Sequence, residues 1–104
     1  MIGFDQTDFN LGNIKYGDTK VVTVNITNTS TETVELTPMN SSCSCTTGSL
    51  KQNKLAPNER TQFNISLNSV KAGKGTNQVK SIQLNYKLNK QTLSQVFRLK
   101  ANVV

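Results

Sequence analysis

From Thr19 to Asn28 the chain reads TKVVTVNITN, and Val22, Val24 and Ile26 alternate with Thr23, Asn25 and Thr27. A period of two puts apolar side chains on one face and polar ones on the other, the signature of a half-buried strand. The alternation returns along the chain. RTQFNISLN brings Phe63, Ile65 and Leu67 to one face, and Val79 to Leu88 does the same with Ile82, Leu84 and Tyr86. Near the end, Phe97, Leu99, Ala101 and Val103 alternate with Arg98, Lys100 and Asn102. Val34 and Leu36 mark a shorter strand with Glu35 and Thr37 outward, and Phe9, Leu11 and Ile14 open the domain.

Turn chemistry separates these runs. Gly12-Asn13, Tyr16-Gly17-Asp18, Asn28 to Thr31, Leu55 to Glu59 and the tight Asn89-Lys90 pair supply it. Pro38 cannot donate to a ladder, so its strand ends there or runs on an edge. Asn68 to Gln78, NSVKAGKGTNQ, reads as a long loop, able to move or to meet a partner through Lys71 and Lys74. No segment carries a 3.6-residue apolar stripe. The pattern therefore predicts an all-β chain: an immunoglobulin-like β-sandwich of about seven short antiparallel strands. The sandwich spans residues 9–104 and follows an N-terminal arm, residues 1–8. Ile26, Phe63, Leu84 and Leu99 are its expected core centres.

Composition supports this and narrows function. The chain has 104 residues, 35% hydrophobic, and no Trp, which suits one modest core. Its net charge of +6 comes from scattered lysines, with only Arg60 and Arg98 besides. Nucleic-acid binders gather Arg and Lys on one face and add stacking aromatics, so no nucleic-acid partner is expected. Dispersed Lys guards strand edges and favours an acidic protein partner. No run approaches the roughly 18 apolar residues of a membrane helix. The start, MIGFD, has neither a basic n-region nor an apolar h-region, so a chain kept in the cytosol is expected unless a leader was removed. Asn-x-Ser/Thr triplets begin at Asn25, Asn28, Asn40 and Asn64, but in a chain this rich in Asn, Ser and Thr they are read as chance.

Little in the sequence can do chemistry. There is no His, which removes the commonest general base and neutral metal ligand. The six acidic residues do not pair into a cleft: Asp18, Glu32 and Glu59 fall in turns, Glu35 points outward, and Asp5 and Asp8 lie in the arm. Gly73-Lys74-Gly75-Thr76 lacks the upstream glycine and βαβ frame of a phosphate loop. No catalytic residue, cofactor or metal site is expected. What remains is Cys43-Ser44-Cys45. Two thiols without imidazole cannot complete a zinc site within one chain, though two copies can share one. In extended backbone, i and i+2 Cα atoms lie about 6.5 Å apart, near the upper limit for a disulfide, so bridging needs a kink. The favoured reading is a pair of structural thiols, Cys43 and Cys45, packed as small hydrophobes. A disulfide, a shared metal site and a redox pair stay open beside it.

The segments FNLGNIKYGD, VNITNTS, NSSCSCTTG, LAPNE and FRLKANV, in that order, resemble a family of small bacterial domains of unknown function. That family carries a Ser-Cys-Gly-Cys-Thr motif and is similar to ASH and major-sperm-protein immunoglobulin-like sandwiches. The resemblance covers about residues 9 to 103. Ser44 stands where the family has Gly, as does Asn58 in Pro-Gly-Glu; Asn tolerates a left-handed turn, so that turn is expected to survive. The resemblance implies a binding or assembly module, and it offers no catalytic residues to carry over. Its members commonly follow a secretion leader.

The function expected from all this is a non-catalytic structural module docked, in multiple copies, on capsid or tail proteins of a bacteriophage virion, as a capsid decoration or a neck or tail accessory. Ile2 and Phe4 of the arm are expected to add to a neighbour's sheet. The alternatives are a bacterial envelope adhesion or scaffold domain, in the periplasm or at the surface, whose leader was removed, and a Cys-x-Cys redox or metal sensor.

Overall fold

The computed structural model describes residues 2–39 and 45–104. The chain forms β1 (Ile2–Phe4), β2 (Asp8–Ile14), β3 (Thr19–Asn28), β4 (Val34–Pro38), β5 (Thr46–Leu50), β6 (Lys54–Leu55), β7 (Arg60–Asn68), a single helical turn α1 (Ser69–Ala72), β8 (Gly75–Leu88) and β9 (Gln91–Val103). One sheet runs β1-β3-β7-β5 and the other β2-β9-β8-β4-β6. Their inner faces close on one core, in an immunoglobulin-like sandwich.

The alternating residues fill that core. Ile26, Phe63, Leu84 and Leu99 are fully buried, as expected, and so are Val24, Val34, Leu55, Ile65 and Phe97. Phe63 and Phe97 meet across the layers with ring centroids 5.5 Å apart. Gly48 of β5 makes room for that pair: a Cβ there would sit 2.6 Å from the Phe63 ring and 2.9 Å from Ile82. Thr61 shares the inward row and faces Ile26. Its Oγ1 is the one buried side-chain polar atom without a hydrogen-bond partner among the described residues. A buried unpaired hydroxyl costs stability. Thr61→Val, of the same shape, is therefore expected to raise unfolding free energy by about 1 kcal/mol; a lowered denaturation midpoint would contradict this.

The strand pattern departs from the expected one in several places. Nine strands form among the described residues, because the short β1 and β6 are too brief for alternation to reveal. β2 and β9 pair in parallel, Phe9 against Leu99 and Ile14 against Val103, not antiparallel. Gly12-Asn13 is no turn. The register shifts between Asn10 and Gly12, where Gly12 takes φ 68°, and this bulge flips the parity so that both Phe9 and Ile14 point inward. The segment 68–78 is not one open loop. Asn68 Oδ1 accepts the N–H groups of Val70 and Lys71, capping α1, and β8 begins at Gly75. The Asn89-Lys90 hairpin forms as expected, with both residues at positive φ (50° and 64°), the mirror-image turn that matches strand twist. Asn58 holds φ 70°, so the left-handed turn does survive without Gly.

The arm is not free. β1 pairs with β3, Phe4 against Ile26. Phe4 meets Tyr86 and Phe97 edge-on at 5.9 and 5.5 Å, so burial of its ring holds the segment down. Residues 2–8 thus contribute to both sheets: β1 lies in one, and the chain then crosses to start β2 in the other. Phe4→Ala is expected to cost about 2 kcal/mol, less than a fully buried Phe because the ring is half-buried. A melting scan checks this, and an unchanged midpoint would mean the arm is not anchored.

Candidate interaction surfaces

At one end of the sandwich the loops are tied by Ser69, which is fully buried. Its Oγ accepts the Gly17 N–H (2.8 Å) and donates to the Lys15 carbonyl (3.3 Å), while its own N–H donates to the Asp18 carbonyl (3.1 Å). The Asn68 N–H donates to the Cys45 carbonyl at 2.7 Å. Lys74 Nζ lies 5.3 Å from the centre of the exposed Tyr16 ring, a cation–π contact that fixes its position. Lys71 projects from α1 and is exposed, as are Lys15 and Lys20 nearby in the chain. The two lysines singled out by sequence therefore share this end, presented on an ordered turn.

Cys45 is 1% exposed and disulfide-bonded, so it is not the free thiol favoured from sequence. The chain's one other cysteine, Cys43, and Ser44 lie outside the described residues. Cys45 sits where the chain enters β5, and the Cys45–Asn68 bond ties it to α1. No group of three or more His, Cys, Asp or Glu side chains able to hold a metal occurs among the described residues.

At the other end the organiser is Asn28, 0% exposed. Its Nδ2 donates to the carbonyls of Glu32 (2.8 Å) and Leu55 (3.0 Å). Its Oδ1 accepts from the Ser30 N–H (3.0 Å) and hydroxyl (2.6 Å). Its main chain bonds Glu59 and Asn58. The Leu55 to Glu59 turn is closed by the Glu59 carboxylate, which accepts the Ala56 N–H at 2.6 Å. VNITNTS and LAPNE, far apart in sequence, are thus one structural unit. Sequence reading missed both hubs, although the signal was there: Asn28 continues the inward parity of Val24 and Ile26, and Ser69 that of Ile65 and Leu67. A polar residue on an apolar row needs a partner set.

Asp5, placed in a loose arm by sequence, is held instead. Its carboxylate accepts the Asn25 side-chain amide (2.8 Å) and backbone N–H (2.9 Å), and its own N–H donates to the Asn25 carbonyl. These bonds, the side-chain one foremost, hold its pKa below the ordinary carboxylate value. The stabilisation is therefore complete above the unfolded pKa and is lost as pH falls through the lower folded one. The group is exposed, so the effect is small and salt-screened. Asp5→Ala is expected to flatten the acid limb of stability against pH; an acid limb identical to that of the parent would contradict it.

The outer face of the second sheet carries an open hollow lined by Asp8, Phe9, Asn10, Val79, Arg98 and Lys100. Its one carboxylate lies 4.0 Å from Arg98, both well exposed, and it holds neither nucleophile nor paired acid and base. Such a hollow can dock a side chain but has no groups placed for chemistry.

The two packed sheets define a fold class, the immunoglobulin-like β-sandwich. The chain resembles an ASH/PapD-like domain of human CEP192 (10% identity, TM-score 0.72, 99% of this chain and 84% of that one). It also resembles WR4, a Caenorhabditis elegans MSP family member (15%, 0.64, 100% and 98%). The Vibrio cholerae VesB protease matches 98% of this chain over only 32% of its own length (14%, 0.70), a likeness of fold. No curated protein matches. Over residues 2–103 the sequence fits a family model described as protein of unknown function (DUF1573), and the chain belongs to that family.

Proposed function

We infer that this chain is a non-catalytic docking module that works in multiple copies within a larger protein assembly. The observation carrying this reading is where its polar side chains are used. Asn28, Ser69, Asn68 and Glu59 tie loops to strands, and no described residues converge in a cleft. What is offered outward is an ordered loop end with Lys71, Lys74 and Tyr16, and an open hollow. Positive charge on that end favours an acidic protein surface. The particular form we propose is a bacteriophage virion component, a capsid decoration or a neck or tail accessory. Purified particles of such a phage, banded on a density gradient, are expected to contain the chain at a fixed copy number. Its absence from the particle band, with all of it in the soluble fraction, would overturn the virion form.

The disulfide at Cys45 favours a second reading, an envelope scaffold or adhesion domain in an oxidising compartment. Recovery of the chain with the periplasm or cell surface, with its cysteines resistant to alkylation before reduction, would support that reading. A sensor role fits less well, because the Cys45 sulfur is buried and committed to a disulfide instead of standing as an exposed thiolate.

A further inference from the structure

Strand edges that could pair with another chain are normally blunted by charge, proline, bulges or brevity. Here β1 and β6 are short, β5 spans only Thr46–Leu50, β2 is bulged, the part of β3 beyond β1 carries Lys20, and the part of β8 beyond β4 carries Lys80. The first half of β9 has none of these defences. β2 covers β9 only from Arg98 onward, and Gln91 to Phe97, QTLSQVF, has no partner on that side. The segment contains neither charge nor proline, Gln91 to Ser94 are exposed, and Leu93 is 42% exposed.

The direction of its main-chain groups follows from the bonds around it. The Arg98 N–H points to the β2 side, where it donates to the Thr7 carbonyl, and the Val104 N–H likewise donates to Ile14. Alternation then turns Val96, Ser94 and Thr92 toward the open edge and Gln95 and Leu93 toward β8. Gln83 confirms the phase. It lies opposite Val96, yet its carbonyl faces away from β9 to accept the Met39 N–H. The Gln95 side chain covers the Val96 carbonyl at 2.9 Å, the single side-chain cap on this edge among the described residues.

We propose that this edge is a contact between two copies of the chain: the Gln91 to Phe97 segments pair antiparallel about a two-fold axis at Ser94, joining the two sheets into one. In that register Ser94 of one copy exchanges both bonds with Ser94 of the other, and Thr92 does so with Val96. Every outward donor meets an outward acceptor, and the Gln95 cap is displaced by a main-chain bond. Leu93 is covered by the second copy's Gln95 in the neighbouring non-bonded pair. The occupant is a second copy because the match is self-complementary, and because a chain of charge +6 associates with itself most readily where it carries no charge. An edge this short makes a weak contact, so it matters where an assembly supplies millimolar local concentration; to that extent the inference rests on the docking-module reading.

Amide hydrogen exchange with sedimentation velocity tests it on the whole chain. Between about 20 µM and 1 mM, a range that brackets a weak contact, Thr92, Ser94 and Val96 are expected to gain protection as the sedimentation coefficient rises. Leu93 and Gln95, bonded to β8, stay protected throughout. Ser94→Pro removes an N–H that only the new contact uses, and proline is tolerated at an outward position of an edge. It is expected to weaken association at least about tenfold. Leu93→Lys, which adds like charge without touching the backbone, does the same and keeps the test open should the proline loosen the hairpin. Protection at Thr92, Ser94 and Val96 that does not change with concentration, or a Leu93→Lys variant that associates like the parent, overturns the proposal. Neither outcome bears on the density-gradient result, and an empty particle band leaves the amide result standing.

Discussion

Asn28→Ala should unfold at markedly lower denaturant, with a loss of about 3–5 kcal/mol. The side chain is fully buried and all its bonding capacity is used: two donors on the Glu32 and Leu55 carbonyls, and an acceptor shared by the Ser30 N–H and hydroxyl. Truncation strips the buried Leu55 carbonyl of its side-chain donor, and a bond lost in the interior costs about 1–3 kcal/mol. It also leaves a void at the edge of the core. Asn28→Asp tests the donors separately. It keeps the acceptor for Ser30 but withdraws the amide donors from the Leu55 and Glu32 carbonyls and adds a buried charge, so it should be no better tolerated than Ala. Ser30→Ala removes a hydroxyl whose bonds, to Asn28 Oδ1 and the Glu32 main chain, lie near the surface, and should cost about 1 kcal/mol. If equilibrium unfolding puts Asn28→Ala no lower than Ser30→Ala, Asn28 does not organise that end.

The second large effect joins Phe63 to Gly48. Phe63→Ala is expected to cost about 3–5 kcal/mol, the range for a large aromatic in a close-packed core. Gly48→Ala is expected to cost about 2–3 kcal/mol for the opposite reason, because the new Cβ would overlap the Phe63 ring and the end of Ile82. The two changes should not add. With the ring gone, the methyl group occupies part of the cavity, so Gly48→Ala on the Phe63→Ala background should cost less than half its original amount. Additive losses in such a double-mutant cycle would show that the glycine is needed for backbone shape and not for the ring.

Much of this fold is legible in the sequence, and the reason is physical. A half-buried strand must alternate, so β3, β7, β8, β9 and the core residues on them can be read directly. Segments anchored by one or two residues cannot. β1 is held by Phe4 against partners more than 80 residues away, and a three-residue stretch has no period to detect. Its pairing with β3 puts Ile2 and Phe4 on the chain's own sheet, where the sequence suggested an arm reaching for a neighbour's. The bulge at Leu11-Gly12 disguised β2 as a strand followed by a turn, because one extra residue shifts the parity. The parallel pairing of β2 with β9 leaves no local trace at all. Among the candidate site residues, Lys71 and Lys74 do share one end of the molecule, but the seat of Lys74 over Tyr16 joins segments far apart in the chain and leaves no local pattern. The hubs were hidden differently. Asn28 and Ser69 each looked like turn residues, since their inward parity was masked by their turn-favouring chemistry.

The position of β9 has a consequence for how the domain comes into being. It lies between β2 and β8 and is made after every other strand of the sandwich, yet β2, near the beginning, has no other partner. During synthesis the early strands therefore wait: β3 and β7 can zip together as they emerge, while β2 and the β9-facing side of β8 stay bare until β9 itself has emerged. Pairing Phe9 with Leu99 closes a loop of some 90 residues, a contact order that slows folding. The nascent chain spends that interval with unsatisfied edges, and a translational pause between β8 and β9, or a helper that shields β2, would set how much of it reaches the native state.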